Sequence, residues 1–313
     1  MITLWWFFEE DNLVKSIWIT LLGLGAVYLT WKVWPYTRFG RKMIRKVPFQ
    51  PEKGIHLIVG NVYQHNKGYA KALDLLLQRN PDVIFLVETN QAWVENLRPL
   101  EESFAYRLLL PLENTYGLAF YSKLPIIRQE INYLIDEEIP SIEVDLRLPD
   151  GSEITLFGIH PTPPVPGENL QSTDRDAEIL KVGKKAKTHS KPSLVIGDLN
   201  DVAWSYTTQL FLKISGMADP RRGRGFYNTF HAKIPIFRWP LDHVFLSHHF
   251  GLSSISVLPG IGSDHFPIEL KATLSQSYTV NKETVSDEEL IEARAKIING
   301  LKEEKPDCPA FRF

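Results

Sequence analysis

The chain has 313 residues, of which 44% are hydrophobic, enough for one large domain or two small ones. The single cysteine, Cys308, excludes an intrachain disulfide framework and gives no zinc pattern. The formal net charge is −2, but residues 1–46 carry a net charge of +4, so the remaining residues carry about −6. A mildly acidic body argues against a sequence-independent nucleic-acid binder, but it does not exclude an enzyme that meets phosphates through a metal.

The first predicted element is a membrane-spanning helix. Residues 16–31 are uncharged, and Lys15 and Lys32 flank them. Because lysines can snorkel to the interface, we expect a span of roughly residues 13–34. Acids precede this span and basic residues follow it, so the positive-inside rule places the C-terminal body in the cytoplasm. The apolar start, Met1–Phe8, leaves the extracytoplasmic side as an alternative, and a buried helix is the alternative to a span.

The rest of the chain divides into three parts after this anchor and its basic segment, residues 1–46. Residues 47–53 contain two prolines and predict a linker, residues 54–273 form a mixed α/β domain, and residues 274–313 form a tail. In the tail, Ser286 begins a capping box that predicts an amphipathic helix, which either packs on its own domain or binds a partner.

The domain shows two α/β halves with antiparallel hairpins between them. Strands are predicted at Ile55–Val62, Val83–Val87, Ala105–Leu110, Gly117–Tyr121, Ile142–Leu148, Ile154–Ile159, Ser193–Ile196, Val244–Leu246 and Ile268–Lys271, and helices near Gly68–Arg79, Ser172–Lys187 and Trp204–Ile214. Two sheets packed face to face with helices outside satisfy this pattern.

Carboxylate and amide side chains follow two of the predicted strands. Glu88 ends an apolar strand, where a carboxylate is either a hard oxygen ligand for Mg²⁺ or Mn²⁺ or a helix-capping acid. Asp198 and Asn200 flank Leu199, so on an extended backbone their side chains point to one face. There the carboxylate can orient a water while the amide holds a phosphate oxygen, although Asp-x-Asn is common in loops.

Two of the nine histidines are candidates for proton or phosphate chemistry. We expect Asp242 to orient His265, which leaves Asp264 free for a metal. His160 precedes a stiff proline-rich loop that would hold its ring in place, whereas His243 is expected to be structural. The sequence has no cysteine nucleophile and no Gly-x-Ser-x-Gly motif, which favours metal-assisted attack by water over a covalent intermediate.

Taken together, these motifs resemble the endonuclease/exonuclease/phosphatase superfamily of DNase I-like fold, and in particular its bacterial membrane-anchored members. The resemblance covers about residues 54–273 and rests on Asn61, Glu88, Tyr116-Gly117, Tyr121–Ile126, His160, Gly197–Asn200, Leu241–His243 and Ser263–His265. It implies an α+β, four-layer αββα sandwich behind one transmembrane helix in a bacterial inner membrane. The site would lie at the mouth between the two sheets.

The resemblance also implies a metal set. Glu88 would bind the divalent metal, with Asn61 and Asp264 nearby. Mg²⁺ is the expected ion, with Mn²⁺ as an alternative.

Catalytic roles follow from the same resemblance. Asp198 would position or deprotonate the attacking water, and Asn200 would hold the scissile phosphate. His265, oriented by Asp242, would stabilise charge developing on phosphorus. His160 would be the second histidine and a candidate leaving-group acid.

Substrate choice is expected in the loop of residues 219–240. Arginines beside aromatic residues suit phosphate binding with base stacking, and they suit a phospholipid headgroup equally well. A solvated loop closed by a local aromatic cluster is the alternative. The candidate substrate-binding residues are Arg221, Arg222, Arg224, Arg238 and Trp239, with Tyr116 added from the resembling motif.

The sequence therefore predicts a membrane-anchored, Mg²⁺-dependent phosphoesterase acting on a phosphodiester or phosphomonoester. The phosphate ester is carried by a lipid headgroup, a nucleotide or a nucleic acid, and the oligomeric state is left open. An endonuclease or exonuclease on DNA or RNA is one alternative. A catalytically silent anchored scaffold that binds a phospho-ligand is the alternative from another class.

Overall fold

A computed structural model of the chain describes residues 12–164, 172–275 and 284–302. Met1–Phe8, Cys308 and part of the predicted tail lie outside these described residues.

The described residues form eleven strands and six α-helices. The strands are β1 (Gly54–Asn61), β2 (Val83–Val87), β3 (Tyr106–Leu110), β4 (Leu118–Ser122), β5 (Ile126–Tyr133), β6 (Pro140–Arg147), β7 (Glu153–Gly158), β8 (Ser193–Asp198), β9 (Asp242–Leu246), β10 (Phe250–Val257) and β11 (Ile268–Leu274). The helices are α1 (Asn12–Val33), α2 (Tyr69–Arg79), α3 (Gln91–Asn96), α4 (Thr173–Thr188), α5 (Tyr206–Ser215) and α6 (Asp287–Gly300).

The strands form two sheets packed face to face. The first sheet has the order β10-β11-β1-β2-β4-β3, and the second has the order β5-β6-β7-β8-β9. Each contains one parallel pair, β1 with β2 and β7 with β8, among antiparallel neighbours. The main apolar core lies between the sheets, where side chains such as Leu57, Phe85, Val144 and Ile196 are buried.

Helices cover the outer face of each sheet. Helices α2 and α3 pack on the first sheet through Leu76 and Trp93. Helices α4, α5 and α6 pack on the second sheet through Leu180, Phe211 and Ile297. The expected α+β, four-layer αββα sandwich is therefore confirmed.

Two strands were not predicted from the sequence. Strand β5 is an edge strand with mostly exposed side chains, and β10 is buried only over its first residues. Their polar side chains interrupt the apolar runs by which the other strands were predicted.

Helix α1 is exposed along its length and belongs to a segment, Leu13–Tyr36, that is long and apolar enough to cross a membrane. The chain then turns at Pro35 and packs Tyr36 into the body. The Tyr36 hydroxyl donates to the Ala203 carbonyl at 2.6 Å, and Gly223 N donates to the Pro35 carbonyl at 2.8 Å. The end of the helix is thus held against the domain.

The segment expected as a linker also packs on the body. Val47 N donates to the Leu252 carbonyl at 2.9 Å, and Gln50 N donates to Thr273 Oγ1 at 3.2 Å. Ile44 is buried in the main core. Residues 44–50 therefore join the basic segment to strands β10 and β11.

Helix α6 carries the predicted capping box, in which the Ser286 hydroxyl and the Glu289 carboxylate accept from each other's backbone N–H. Helix α6 was expected either to pack on its own domain or to bind a partner. In the structure it packs on its own domain, against α4 and α5. Lys296 Nζ lies 2.9 Å from Asp176 Oδ2, and Lys213 Nζ lies 2.6 Å from Glu289 Oε1.

Candidate active site

His265 lies between two buried carboxylates at one end of the sandwich. Its Nδ1 is 2.8 Å from Asp242 Oδ2, and its Nε2 is 3.5 Å from Asp198 Oδ2. Burial alone would lower the pKa of His265, but Asp198 and Asp242 outweigh it and raise that pKa to about 10. His265 is therefore an imidazolium near neutral pH, and the expected orientation by Asp242 is present in the structure.

Strand pairing brings these groups together. Asp198 ends β8 and Asp242 begins β9, and the two residues are direct partners across this antiparallel pair. His265 belongs to the loop before β11 in the other sheet. Burial would raise the pKa of Asp198, but His265 and His160 hold it below its ordinary value, so Asp198 is ionised.

Glu88 and Asp198 face each other across the side chain of Asn61. Asn61 Nδ2 donates to Glu88 Oε1 at 2.6 Å and to Asp198 Oδ2 at 3.1 Å. Burial raises the pKa of Glu88 to about 7, and the neighbouring charge of Asp198 adds to this rise. The backbone N–H of Gln64 donates to Glu88 Oε2 at 3.2 Å and helps to fix the carboxylate.

This donor set fits a hard divalent cation. The half-buried carboxylate of Glu88 and the buried carboxylate of Asp198 lie next to one amide group. A cation beside Glu88 would offset both its desolvation and the repulsion between the two carboxylates. Asp198, Asp242 and His265 also place three ligand atoms within 4.8 Å of one another. That trio suits a hydrogen-bonded relay better, because both nitrogens of a protonated imidazole face carboxylates and neither can ligate a metal.

The backbone at Glu88 and Asn200 adopts the left-handed conformation, with φ of 60° and 50°. Such values are uncommon outside glycine, and they cluster at functional sites. The backbone is therefore not extended through Asn200, as the expectation of a shared face with Asp198 requires. The strand turns at Asn200, whose N–H donates to Asp198 Oδ1 at 2.9 Å and whose Nδ2 donates to the Pro161 carbonyl at 2.9 Å.

The alternative role of Glu88 as a helix cap is not the one that the structure shows. Asn90 caps α3, because its side-chain oxygen accepts from Trp93 N at 3.2 Å. Glu88 is thus available to the site.

His160 follows β7 and lies beside Tyr116, with the ring centroids 5.5 Å apart. Both side chains are buried. Two glycines allow the close backbone approaches that place them. A Cβ at Gly117 would lie 1.8 Å from the Thr89 carbonyl oxygen, and one at Gly197 would lie 1.9 Å from that of Ile159.

Ser263 joins the metal set to the relay. Its Oγ donates to the Asn61 carbonyl at 2.8 Å and accepts from His265 N at 3.0 Å. Asp264 Oδ1 lies 3.3 Å from the same hydroxyl. Asn61, Asp264 and His265 are thereby held around one side chain.

Ser263, Gln64 and Phe230 were missed as site residues. Ser263 belongs to the Ser263–His265 motif, but a serine there carries no signal for a role by itself. Gln64 follows Asn61 by three residues and carries no pattern of its own. The Phe230 ring lies 4.9 Å from the His265 ring across an isolated antiparallel bridge, a contact that only the tertiary structure shows.

The structure revises the expectation for three of the predicted substrate-binding arginines. Arg221 is 1% exposed, and its guanidinium forms hydrogen bonds with Asp219, the Asp242 carbonyl and His243. Arg222 contacts Gln209 and lies over the Tyr36 ring, and Arg224 donates to the Pro220 and Ile44 carbonyls. These side chains bind the chain to itself rather than facing an open site.

Arg238 and Trp239 lie differently, on an exposed loop beside Phe230. Trp239 is 43% exposed, and Arg238 Cζ lies 5.0 Å from the centre of the Phe266 ring. His243 is buried with its pKa lowered to about 3 by burial, which agrees with the structural role expected for it.

The sequence matches one protein family, and the fold matches several solved structures. The model of the Endonuclease/Exonuclease/phosphatase family matches residues 61–265, which include every catalytic and metal-binding candidate named above. No protein of curated function matches the sequence.

Several solved structures share the fold. Truncated TDP2 of Caenorhabditis elegans is 14% identical, with a TM-score of 0.56 over 70% of this chain and 97% of that one. An endonuclease/exonuclease/phosphatase family protein of Bacteroides thetaiotaomicron is 15% identical, with a TM-score of 0.59 over 72% and 100%. TDP2 of D. rerio, complexed with a single-strand DNA product, is 18% identical, with a TM-score of 0.60 over 70% and 99%.

Proposed function

This chain belongs to the endonuclease/exonuclease/phosphatase family and is a metal-dependent phosphoester hydrolase. We propose that it is a membrane-anchored enzyme that uses Mg²⁺ to hydrolyse a phosphodiester or phosphomonoester. The observation that carries the proposal is the imidazolium of His265, held 2.8 Å from Asp242 and 3.5 Å from Asp198. The Asn61 side chain links Asp198 to the half-buried carboxylate of Glu88. Positive and negative groups are thus fixed side by side before a substrate arrives.

Glu88 is the principal metal ligand in this proposal, with Asn61 and Asp264 beside it. The bound cation supplies charge neutralisation at a phosphate oxygen. Mn²⁺ is an alternative ion, since the donors are oxygen atoms.

Four side chains have separate roles around the phosphorus atom in this proposal. Asp198 is ionised, so it accepts a hydrogen bond from the attacking water and orients it. His265 directs its Nε2 proton toward the same space and stabilises negative charge that develops on the phosphate oxygens. Asn200 retains one amide hydrogen for the phosphate, because its other one is donated to the Pro161 carbonyl. In this proposal His160 donates a proton to the leaving-group oxygen, a role supported by its electrostatic interaction with Asp198.

Membrane anchoring is supported by helix α1, whose apolar side chains are exposed on all of its faces and along its whole length. The proposal places the helix in a bacterial inner membrane with the catalytic domain in the cytoplasm. The basic residues after the helix support this orientation. The extracytoplasmic side remains the alternative.

A nuclease is the second candidate function. It is favoured by the likeness of the fold to D. rerio TDP2, solved with a single-strand DNA product, and by Arg238 beside the exposed ring of Trp239. The net charge of about −6 on residues 47–313 argues against long duplex DNA.

The test uses the full chain with Mg²⁺ or Mn²⁺ on bis-p-nitrophenyl phosphate, single- and double-stranded DNA, RNA, phosphoinositides and sphingomyelin. His265→Ala and Asp198→Asn are each expected to lower kcat by about a hundredfold or more. Asp74→Asn, on the exposed side of α2, is the matched control and should keep full activity. Absence of turnover on every substrate, with phosphate-ligand binding unchanged in both variants, would favour the silent scaffold.

A further inference from the structure

The loop of residues 233–239, which we call the rim loop, exposes large apolar side chains. Ile236 is 87% exposed, the highest value for any large apolar side chain among the described residues, and Phe237 is 59% exposed. Ile234 and Trp239 are 42% and 43% exposed. Contiguous exposed apolar side chains of this kind mark a surface that meets another apolar phase or a partner.

The rim loop borders the candidate active site. Just before it, Ala232 N donates to the Asp264 carbonyl at 2.6 Å. Its two cations lie over aromatic rings next to site residues: Lys233 Nζ is 5.3 Å from the centre of the Tyr63 ring, and Arg238 Cζ is 5.0 Å from that of Phe266. The apolar tip therefore projects at the mouth of the site, with positive charge on both of its flanks.

The same loop lies close to the end of helix α1. The Trp204 ring bridges them, 6.0 Å from the Tyr36 ring on one side and 6.4 Å from the Trp239 ring on the other. Tyr36 is the last residue of the apolar segment Leu13–Tyr36 and is fully buried in the body. The end of the helix and the rim loop are thus fixed on one face of the domain.

Residues around the end of the helix have the character of a membrane interface. Trp34 and Phe39 are exposed and stack on each other, with centroids 6.0 Å apart. Aromatic side chains concentrate at the headgroup level of bilayers. The basic side chains of this segment are Arg38, Arg41, Lys42, Arg45 and Lys46.

From these contacts we propose that the rim loop inserts into the headgroup region of the bilayer that α1 spans, so that the mouth of the active site faces the membrane. The occupant of this surface is a lipid bilayer with anionic headgroups, because apolar tips flanked by Lys and Arg suit such a surface. The proposal rests on the membrane anchoring put forward above. It narrows the substrate to a phosphate ester carried by a membrane lipid.

The first test measures insertion without any activity assay. Single cysteines are placed in full-length Cys308→Ser protein at Ile236, at Leu22 in the middle of α1, and at Ile131 as the control. Ile131 is 40% exposed on β5, the edge of the second sheet farthest from β9. Each cysteine carries an environment-sensitive fluorophore, and the protein is reconstituted in phosphatidylcholine and phosphatidylglycerol vesicles with nitroxide-labelled acyl chains.

We expect the labels at Leu22→Cys and Ile236→Cys to shift to the blue and lose most of their fluorescence to the nitroxide. The label at Ile131→Cys should do neither. Quenching at Leu22→Cys with Ile236→Cys behaving like Ile131→Cys would overturn the docking of the loop and leave the anchor standing. An unquenched label at Leu22→Cys would overturn the anchor and the inference together.

The second test separates docking from chemistry. Phe237→Asp is compared with Ile131→Asp on water-soluble bis-p-nitrophenyl phosphate and on phospholipid in the same vesicles. We expect Phe237→Asp to lower turnover of vesicle lipid by about tenfold, because one aromatic side chain no longer partitions into the bilayer, and to leave the soluble ester unaffected. An equal effect on both substrates, or no effect on either, would contradict the proposal.

Discussion

His265 touches two carboxylates from the opposite sheet, and this arrangement fixes its charge. Burial opposes protonation, but Asp198 and Asp242 raise the pKa of His265 to about 10. A pKa above the ordinary value of 6.5 means that the imidazolium stabilises the fold fully below that value. This contribution is lost as the pH rises through about 10.

The first prediction concerns the pH profile of turnover. Activity should decline as the pH rises through about 10, when His265 loses the proton that stabilises charge on phosphorus. Asp242→Asn removes one of the two neighbouring charges, so the alkaline limb of kcat should move to lower pH. Asp74→Asn serves as the control and should leave the limb in place. An unmoved limb in Asp242→Asn would show that Asp242 does not set the protonation of His265.

Glu88 shifts in the same direction as His265, although here the fold favours the neutral form of the side chain. Burial raises its pKa from 4.5 to about 7, so the folded protein favours the protonated carboxyl. The free energy of unfolding of the metal-free protein therefore falls as the pH rises from about 4.5 through about 7, the window between the unfolded and folded pKa values.

The second prediction follows from this sign. Glu88→Gln should raise the free energy of unfolding of the metal-free protein above pH 7 by ~1–3 kcal/mol, and by little near pH 4.5. It should also abolish the increase in Tm that Mg²⁺ gives the parent protein. Both are measured by thermal unfolding with and without Mg²⁺, beside the exposed control Glu95→Gln. A variant that Mg²⁺ still stabilises would remove Glu88 from the metal set.

Helices and strands set these residues at one end of the sandwich, and the sequence predicted most of those elements. Apolar runs such as Val83–Val87 are visible because both of their faces are buried. Strand β5 was missed because it is an exposed edge strand, whose pattern is polar. The left-handed turn at Asn200 was also missed, since the residue type alone does not state its backbone conformation.

A third prediction belongs to the start of β4. Gly117→Ala would place a methyl group 1.8 Å from the Thr89 carbonyl oxygen, so the backbone next to Glu88 must shift. We expect a loss of ~1–3 kcal/mol in the free energy of unfolding and a weaker affinity for Mg²⁺. Calorimetric titration of Mg²⁺ checks this, with Gly25→Ala as the control because nothing lies within 4 Å of its added methyl. Unchanged Mg²⁺ affinity would mean that the β2–β4 contact does not position Glu88.

The whole molecule joins an apolar helix to its catalytic domain through packed contacts. The sequence predicted the helix, the basic segment and the arginine-rich loop, but it did not show that they meet. Arg222 and Arg224 were expected to bind substrate, and instead they hold Tyr36 and Ile44. No local pattern distinguishes an arginine that binds substrate from one that binds a distant part of its own chain.

The fourth prediction tests this attachment. Tyr36→Ala removes a fully buried ring and the hydrogen bond from its hydroxyl to the Ala203 carbonyl. Residues 37–47 should therefore detach from the body by local unfolding far more often. We expect trypsin to cleave after Arg38, Arg41 or Lys42 about tenfold faster or more, with turnover of a soluble phosphoester maintained. Tyr133→Ala, at an exposed tyrosine of β5, is the matched control. An unchanged cleavage rate would show that Tyr36 does not hold this segment on the body.

The order in which the chain is synthesised gives the two-sheet site a further consequence. Asn61 and Glu88 are made early, Asp198 and Asp242 later, and His265 just before β11, the strand that pairs with β1 and β10. A nascent chain thus carries Glu88, Asp198 and Asp242 before it carries His265, the imidazolium that lies between the last two carboxylates. Since β11 closes the first sheet, the enzyme cannot act on phosphate esters near the ribosome until nearly the whole domain has emerged and folded.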